Sequence, residues 1–92
     1  MSTVAEHENP ELLAAREEFF QALEQGGLTI PQTVRMLRKT TGMTIPEYAK
    51  YVGISTRYLG DIERGLMNPT VDILEKIGQP LGLVVALRRR PG

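Results

Sequence analysis

Helix punctuation constrains this chain more than any other feature. Five times a polar residue able to cap a helix precedes apolar residues at helical spacing, and a glycine or proline then ends the run. In "NPELLAAREEFFQALEQGG", Asn9 caps, Pro10 sits where its missing N–H costs nothing, and Gly26-Gly27 stops the helix. Leu12, Ala15, Phe19, Ala22 and Leu23 form its apolar stripe, and Phe19 and Phe20 are expected in the core. "TIPQ" at 29–32 and "TIPE" at 44–47 are two capping boxes. In each, the threonine hydroxyl accepts from the N–H three residues on, and the Gln32 or Glu47 side chain reaches back. They mark helix starts rather than a repeat, because "TVRMLRKTTG" and "YAKYVGISTR" do not align. The first opens a helix over about 31–41 with Val34, Met36 and Leu37 inward, closed by Gly42. The second opens "PEYAKYV" with Tyr48, Ala49 and Val52 inward, broken at Gly53. Ser55 caps "TRYLGDIER", which runs to Gly65. Thr70 caps "VDILEKIGQPLG", with Val71, Ile73, Leu74 and Ile77 as its apolar face and Pro80 limiting its length. "LVVAL" at 83–87 is β-branched-rich and too short for a buried helix, so it is predicted to form a short strand. A lone strand needs partners, which a second copy would supply.

Ninety-two residues make one domain with a modest core. No apolar run approaches the ~18 residues of a membrane span, so no membrane partner is expected. "MSTVAEHENP" lacks a basic start and an apolar signal core. The absence of cysteine excludes disulfides and thiolate metal sites and fits a cytoplasmic location. Net charge is zero but unevenly spread. Residues 1–27 hold six acids against Arg16 alone, a balance of −5, while residues 28–92 hold ten bases against five acids, a balance of +5. Such asymmetry fits contact with a polyanion through the basic part, and equally two solvated faces that balance for solubility.

The stretch 45–64, "IPEYAKYVGISTRYLGDIER", places two short helices around a tight turn. Ala49 is small where they cross, Gly53 sits at the turn, and Ile54 plugs the turn into the core. Leu59 and Ile62 anchor the second helix, leaving Thr56, Arg57, Gly60, Asp61 and Arg64 on its outer face. This is a helix-turn-helix arrangement, whose second helix enters the major groove of DNA.

From about Thr33 to Leu81 the chain resembles the lambda-repressor-like (Xre-type) DNA-binding domains of bacterial and phage regulators. The resemblance rests on "MLRKTTGMT", the Ala49/Gly53 spacing, "GIS", and "IERG" followed by "NPT". It implies an all-α bundle of about five helices, with an added N-terminal helix and a C-terminal strand used in dimerisation. The organisation expected is a flexible start at 1–8, an acidic helix at 9–27, the DNA-binding domain at 28–82, and a strand with basic tail at 83–92. Thr56, Arg57 and Asp61 match positions that commonly touch base edges. Arg57 suits guanine O6 and N7, Thr56 a base or a thymine methyl, and Asp61 a cytosine amino group or, alternatively, the support of Arg57 or Arg64. Thr44, Lys50, Ser55, Tyr58, Arg64 and Asn68 are the phosphate candidates, helped by backbone amides at the helix start after Thr44. Glu63 resembles a family glutamate that pairs with an arginine, here Arg38. The sequence departs from many relatives at Ile45, where they carry a phosphate-clamping glutamine.

The function implied is a dimeric, sequence-specific transcriptional regulator, a repressor by preference, on double-stranded DNA with a palindromic operator. Leu83, Val84, Val85 and Leu87 are the dimerisation candidates, and Arg88, Arg89 and Arg90 form either a phosphate-binding or a solvated tail. The alternative is an antitoxin that binds a toxin protein and regulates its own operon. An enzyme is not expected: His7 is the only histidine, and no nucleophile motif, phosphate-cradling loop or metal-ligand spacing appears. No cofactor or metal is expected either.

Overall fold

The computed structural model describes residues 9–90. The readings of residues 1–8 as a flexible start, and of His7 within them, lie outside those residues. The described part holds five α-helices: α1 (Pro10–Gln25), α2 (Ile30–Lys39), α3 (Ile45–Val52), α4 (Thr56–Glu63) and α5 (Val71–Gly78). A single 3-10 turn, Gln79–Leu81, follows. Counting the N-terminal helix, the total is five, so residues 28–82 contribute four helices rather than about five.

Each helix begins where a side chain satisfies otherwise orphaned backbone donors. Asn9 accepts from the N–H groups of Glu11 and Leu12. Both capping boxes close reciprocally, Thr29 with Gln32 and Thr44 with Glu47. Ser55 and Thr70 accept from the N–H groups of Tyr58 and Ile73. An alanine at any such cap costs typically ~1 kcal/mol. The turn between α3 and α4 needs a left-handed residue, and Gly53 has φ 86°.

The core is Phe19, Val34, Leu37, Tyr48, Ala49, Leu59, Ile62 and Ile77. Every helix therefore contributes to one cluster, and Ala49 is small enough to let α3 lie against α4. Tyr48 is wholly buried, and its hydroxyl donates to the Ile77 carbonyl at 2.6 Å, tying α3 to α5. Burial, aided by the nearby Tyr51, pushes the Tyr48 phenol up to about 12.

Three further expectations need correction. Val71 lies outside the core, 58% exposed, because it is the first residue of α5 and stands at the helix tip. Helix α5 stops at Gly78, before the expected 71–82, with Pro80 in the 3-10 turn that follows. No strand forms at 83–87 among the described residues. The Leu83 N–H donates to the Gly78 carbonyl and the Val85 N–H weakly to the Glu75 carboxylate, and no strand among the described residues offers a ladder. Leu83 packs on the core, while Val84, Val85 and Leu87 are exposed.

Candidate nucleic-acid interface

Helix α4 is held from behind. Leu59 and Ile62 are fully buried, α2 and α3 both pack against the helix, and α1 packs on α2. The described residues leave the opposite side of α4 uncovered at its first turn. Thr56 is exposed, and the Arg57 side chain is 92% exposed at the first turn. Ser55 spends its hydroxyl oxygen on the Tyr58 N–H and remains exposed. Tyr58 is half-buried against the core.

Gly60, expected on the outer face, is instead buried. It has no side chain to project, and Arg64 folds back over it. A Cβ built there would stand 3.2 Å from Arg64 Nη1. Asp61 controls that arrangement. Its Oδ1 accepts from Arg64 Nη2 at 2.6 Å, and its Oδ2 lies 3.9 Å from Arg57 Nε. Asp61 is only 19% exposed, so it sits between two arginines rather than projecting beyond them. The long contact to an exposed Arg57 is loose and worth little in water. Arg57 is therefore free to reorient toward a ligand.

The end of α4 is fixed by a second set of charges. Glu63 has a side chain 3% exposed, and both its oxygens accept from Arg38, Nε at 2.7 Å and Nη2 at 3.0 Å. Arg38 Nη1 also donates to the Met43 carbonyl at 2.9 Å, so one guanidinium ties α2 to α4 and to the turn before α3. The hydrogen bonding to Glu63 raises the Arg38 pKa more than burial lowers it, and the Coulombic attraction of Glu63 adds to the rise. Arg35, which the sequence reading did not single out, donates to the Glu63 carbonyl at 3.2 Å. It thereby satisfies one of the last carbonyls of α4. Its spacing of three from Arg38 on α2 was the available signal.

The remaining candidates are spread around this scaffold. Thr44 is exposed at the start of α3, its hydroxyl oxygen committed to the Glu47 N–H. Lys50 is exposed on α3, in a shallow surface shared with Met43, Glu47 and Tyr51. Asn68 is exposed in the loop between α4 and α5, near the exposed Leu66 and Met67. Ile45, at the position of the missing glutamine, packs against the core instead of facing solvent. Arg88 lies against Gly26 at the end of α1, and Arg89 and Arg90 are exposed.

Comparison with known proteins puts this geometry in context. The family model described as Helix-turn-helix matches residues 34–84, which include α3, α4 and α5. The immunity repressor protein of Bacillus phage phi105 is 34% identical over 59 residues, 64% of this chain and 41% of its own length. The HTH-type transcriptional regulator SinR of Bacillus subtilis is 37% identical over 57 residues, 61% of this chain and 51% of its own. The uncharacterized HTH-type transcriptional regulator y4dJ of Sinorhizobium fredii is 43% identical over 47 residues, 51% of this chain and 61% of its own. The chain thus spans about half the length of these curated relatives. No solved structure gives a significant match.

Proposed function

The chain belongs to the lambda-repressor-like helix-turn-helix family, and from that membership we propose that it is a sequence-specific DNA-binding transcriptional regulator, a repressor, that acts as a dimer on a palindromic operator. The observation that carries the reading is the open side of α4, with Thr56 and Arg57 exposed at its first turn while Leu59 and Ile62 are locked into the core. A rigid helix with a free polar face fits the major groove, which is wide enough for one helix.

In the proposed complex Arg57 donates bidentately to guanine, and Thr56 contacts the neighbouring base. Asp61 orients the two arginines on either side of it, and an unpaired carboxylate is thereby kept from facing phosphates. Thr44, Lys50, Ser55, Tyr58, Arg64 and Asn68 fix the register through the backbone. With Ile45 turned to the core, the Thr44 end of α3 supplies that anchor through its backbone amides and helix dipole. A second copy, covering the exposed Val84, Val85 and Leu87, sets two recognition helices ~34 Å apart on one face of the duplex. Selection of binding sites from random DNA tests all of this together. Recovery of an inverted repeat with half-sites about one helical turn apart supports the proposal. Recovery of no motif from the folded chain at low salt sinks it.

A second reading, an antitoxin that grips a toxin, is favoured by the exposed acidic residues Glu11, Glu17, Glu18 and Glu24 of α1. Deleting α1 is a poor test because it removes the buried Phe19. Exchanging Glu17, Glu18 and Glu24 for glutamine leaves the core intact. Loss of a co-purifying partner with operator binding kept is the result this reading requires.

A further inference from the structure

Leu12, Arg16 and Phe20 recur every four residues and share one side of α1. Leu12 lies on the turn between α2 and α3, 3.3 Å from where a Cβ on Gly42 would stand, and Phe20 packs on the core. An arginine thus occupies the middle of a row whose ends are hydrocarbon. Its Nε is buried and no protein atom accepts from it, and among the described residues no carboxylate forms an ion pair with it. A buried donor left without a partner costs about 1–3 kcal/mol, and more when it is charged. The rest of the row shows no reason for accepting that cost.

The side chain lines a cleft of about 500 Å³, bounded also by Phe20, Thr41, Met43, Tyr51 and Leu81. That volume falls in the ~300–1,000 Å³ range of small-molecule sites. We propose that this cleft binds a small organic monocarboxylate, its carboxylate on the Arg16 guanidinium and its hydrocarbon body against Phe20, Met43 and Leu81. Nε is the one guanidinium nitrogen buried without a partner, so the terminal nitrogens are the pair that would meet the two oxygens of a carboxylate. A phosphate dianion fits less well, because one cation would face two charges. Thr41 supplies no competing donor, since its hydroxyl already donates to the Arg38 carbonyl. None of the lining residues belongs to α4, so the site stands or falls separately from the DNA-binding proposal.

The test uses octanoate as the probe and 1-octanol as its uncharged twin. Both are titrated at neutral pH into the full chain while the Met43 and Leu81 methyl resonances are followed. Octanoate is expected to give saturable shifts at both methyls, with octanol weaker by about tenfold or more, as loss of a charge-assisted pair implies. The folded Arg16→Gln variant should lose the same factor for octanoate and little for octanol. Equal affinities for the two probes overturn the proposal. So do shifts that fail to saturate, or that centre on Leu83, Val84 and Val85 instead. Should Arg16→Gln not fold, the octanoate and octanol comparison on the unaltered chain decides alone.

Discussion

Replacing Arg38 by methionine should be the most damaging single change to the scaffold of α4. Methionine fills much of the aliphatic stem but removes the guanidinium. The Glu63 carboxylate, 3% exposed, then loses the partner of both its oxygens, held at 2.7 and 3.0 Å. Breaking a buried pair from one side costs roughly 3–5 kcal/mol, because the other charge is stranded. Loss of the bond to the Met43 carbonyl adds about 1 kcal/mol. Domains of this kind hold only ~5–15 kcal/mol in total, so the variant is left marginal. Urea unfolding followed by circular dichroism measures the effect. With a slope of about 1–3 kcal/mol per molar, the midpoint should fall by more than about 1 M, or the folded baseline should vanish. The double variant Arg38→Met/Glu63→Met should recover most of the loss, since apolar replacement of both partners is often near neutral. A single-variant loss under about 1 kcal/mol would place the pair among weak, solvated bridges. A double variant as unstable as the single one would refute the stranded-charge reasoning itself.

Arg57→Ala should weaken binding to the selected site by roughly 1–3 kcal/mol and relax the base preference at one position, read by fluorescence anisotropy across base variants. Lys50→Ala should weaken all sequences alike and lower the slope of log affinity against log salt by about one; an unchanged slope removes Lys50 from the phosphate contacts. Stability should fall as pH rises from about 10 to about 12. The Tyr48 phenol, held protonated by burial in the folded chain, ionises at ~10 when unfolded, so its contribution is full below 10 and lost above about 12. Tyr48→Phe should be less stable at neutral pH, because the Ile77 carbonyl loses its donor, and should lose part of this alkaline slope in urea titrations.

Local signals carried most of the fold. Caps at Asn9, Thr29, Thr44, Ser55 and Thr70 are written in short-range chemistry, and every one of them forms. Burial of Ala49, Leu59 and Ile62 follows from helical spacing, which a sequence displays directly. The misreadings involve geometry that residue spacing alone does not display, some of it local and some of it between elements distant in the chain. Residues 83–87 have strand composition, but a strand is a property of a pair, and the described residues supply no second member. Spacing alone turns Gly60 outward, yet Arg64, four residues on, covers it. Arg16 looked like one base in an acidic segment. Its setting emerges only when α1 meets the α2–α3 turn and the 3-10 turn after α5. Asp61 was legible as either base reader or brace, and its 2.6 Å bond to Arg64 favours the brace in the free chain.

The claim beneath the rest is that the uncovered side of α4 meets DNA. Titrating the selected duplex into isotope-labelled chain, and following backbone amide resonances, addresses it residue by residue. The largest changes should fall on Ser55, Thr56, Arg57, Asp61 and Arg64, with a second group at the start of α3 around Thr44. Changes confined to α1 or to residues 83–90, with the amides of α4 unmoved at saturation, would contradict it.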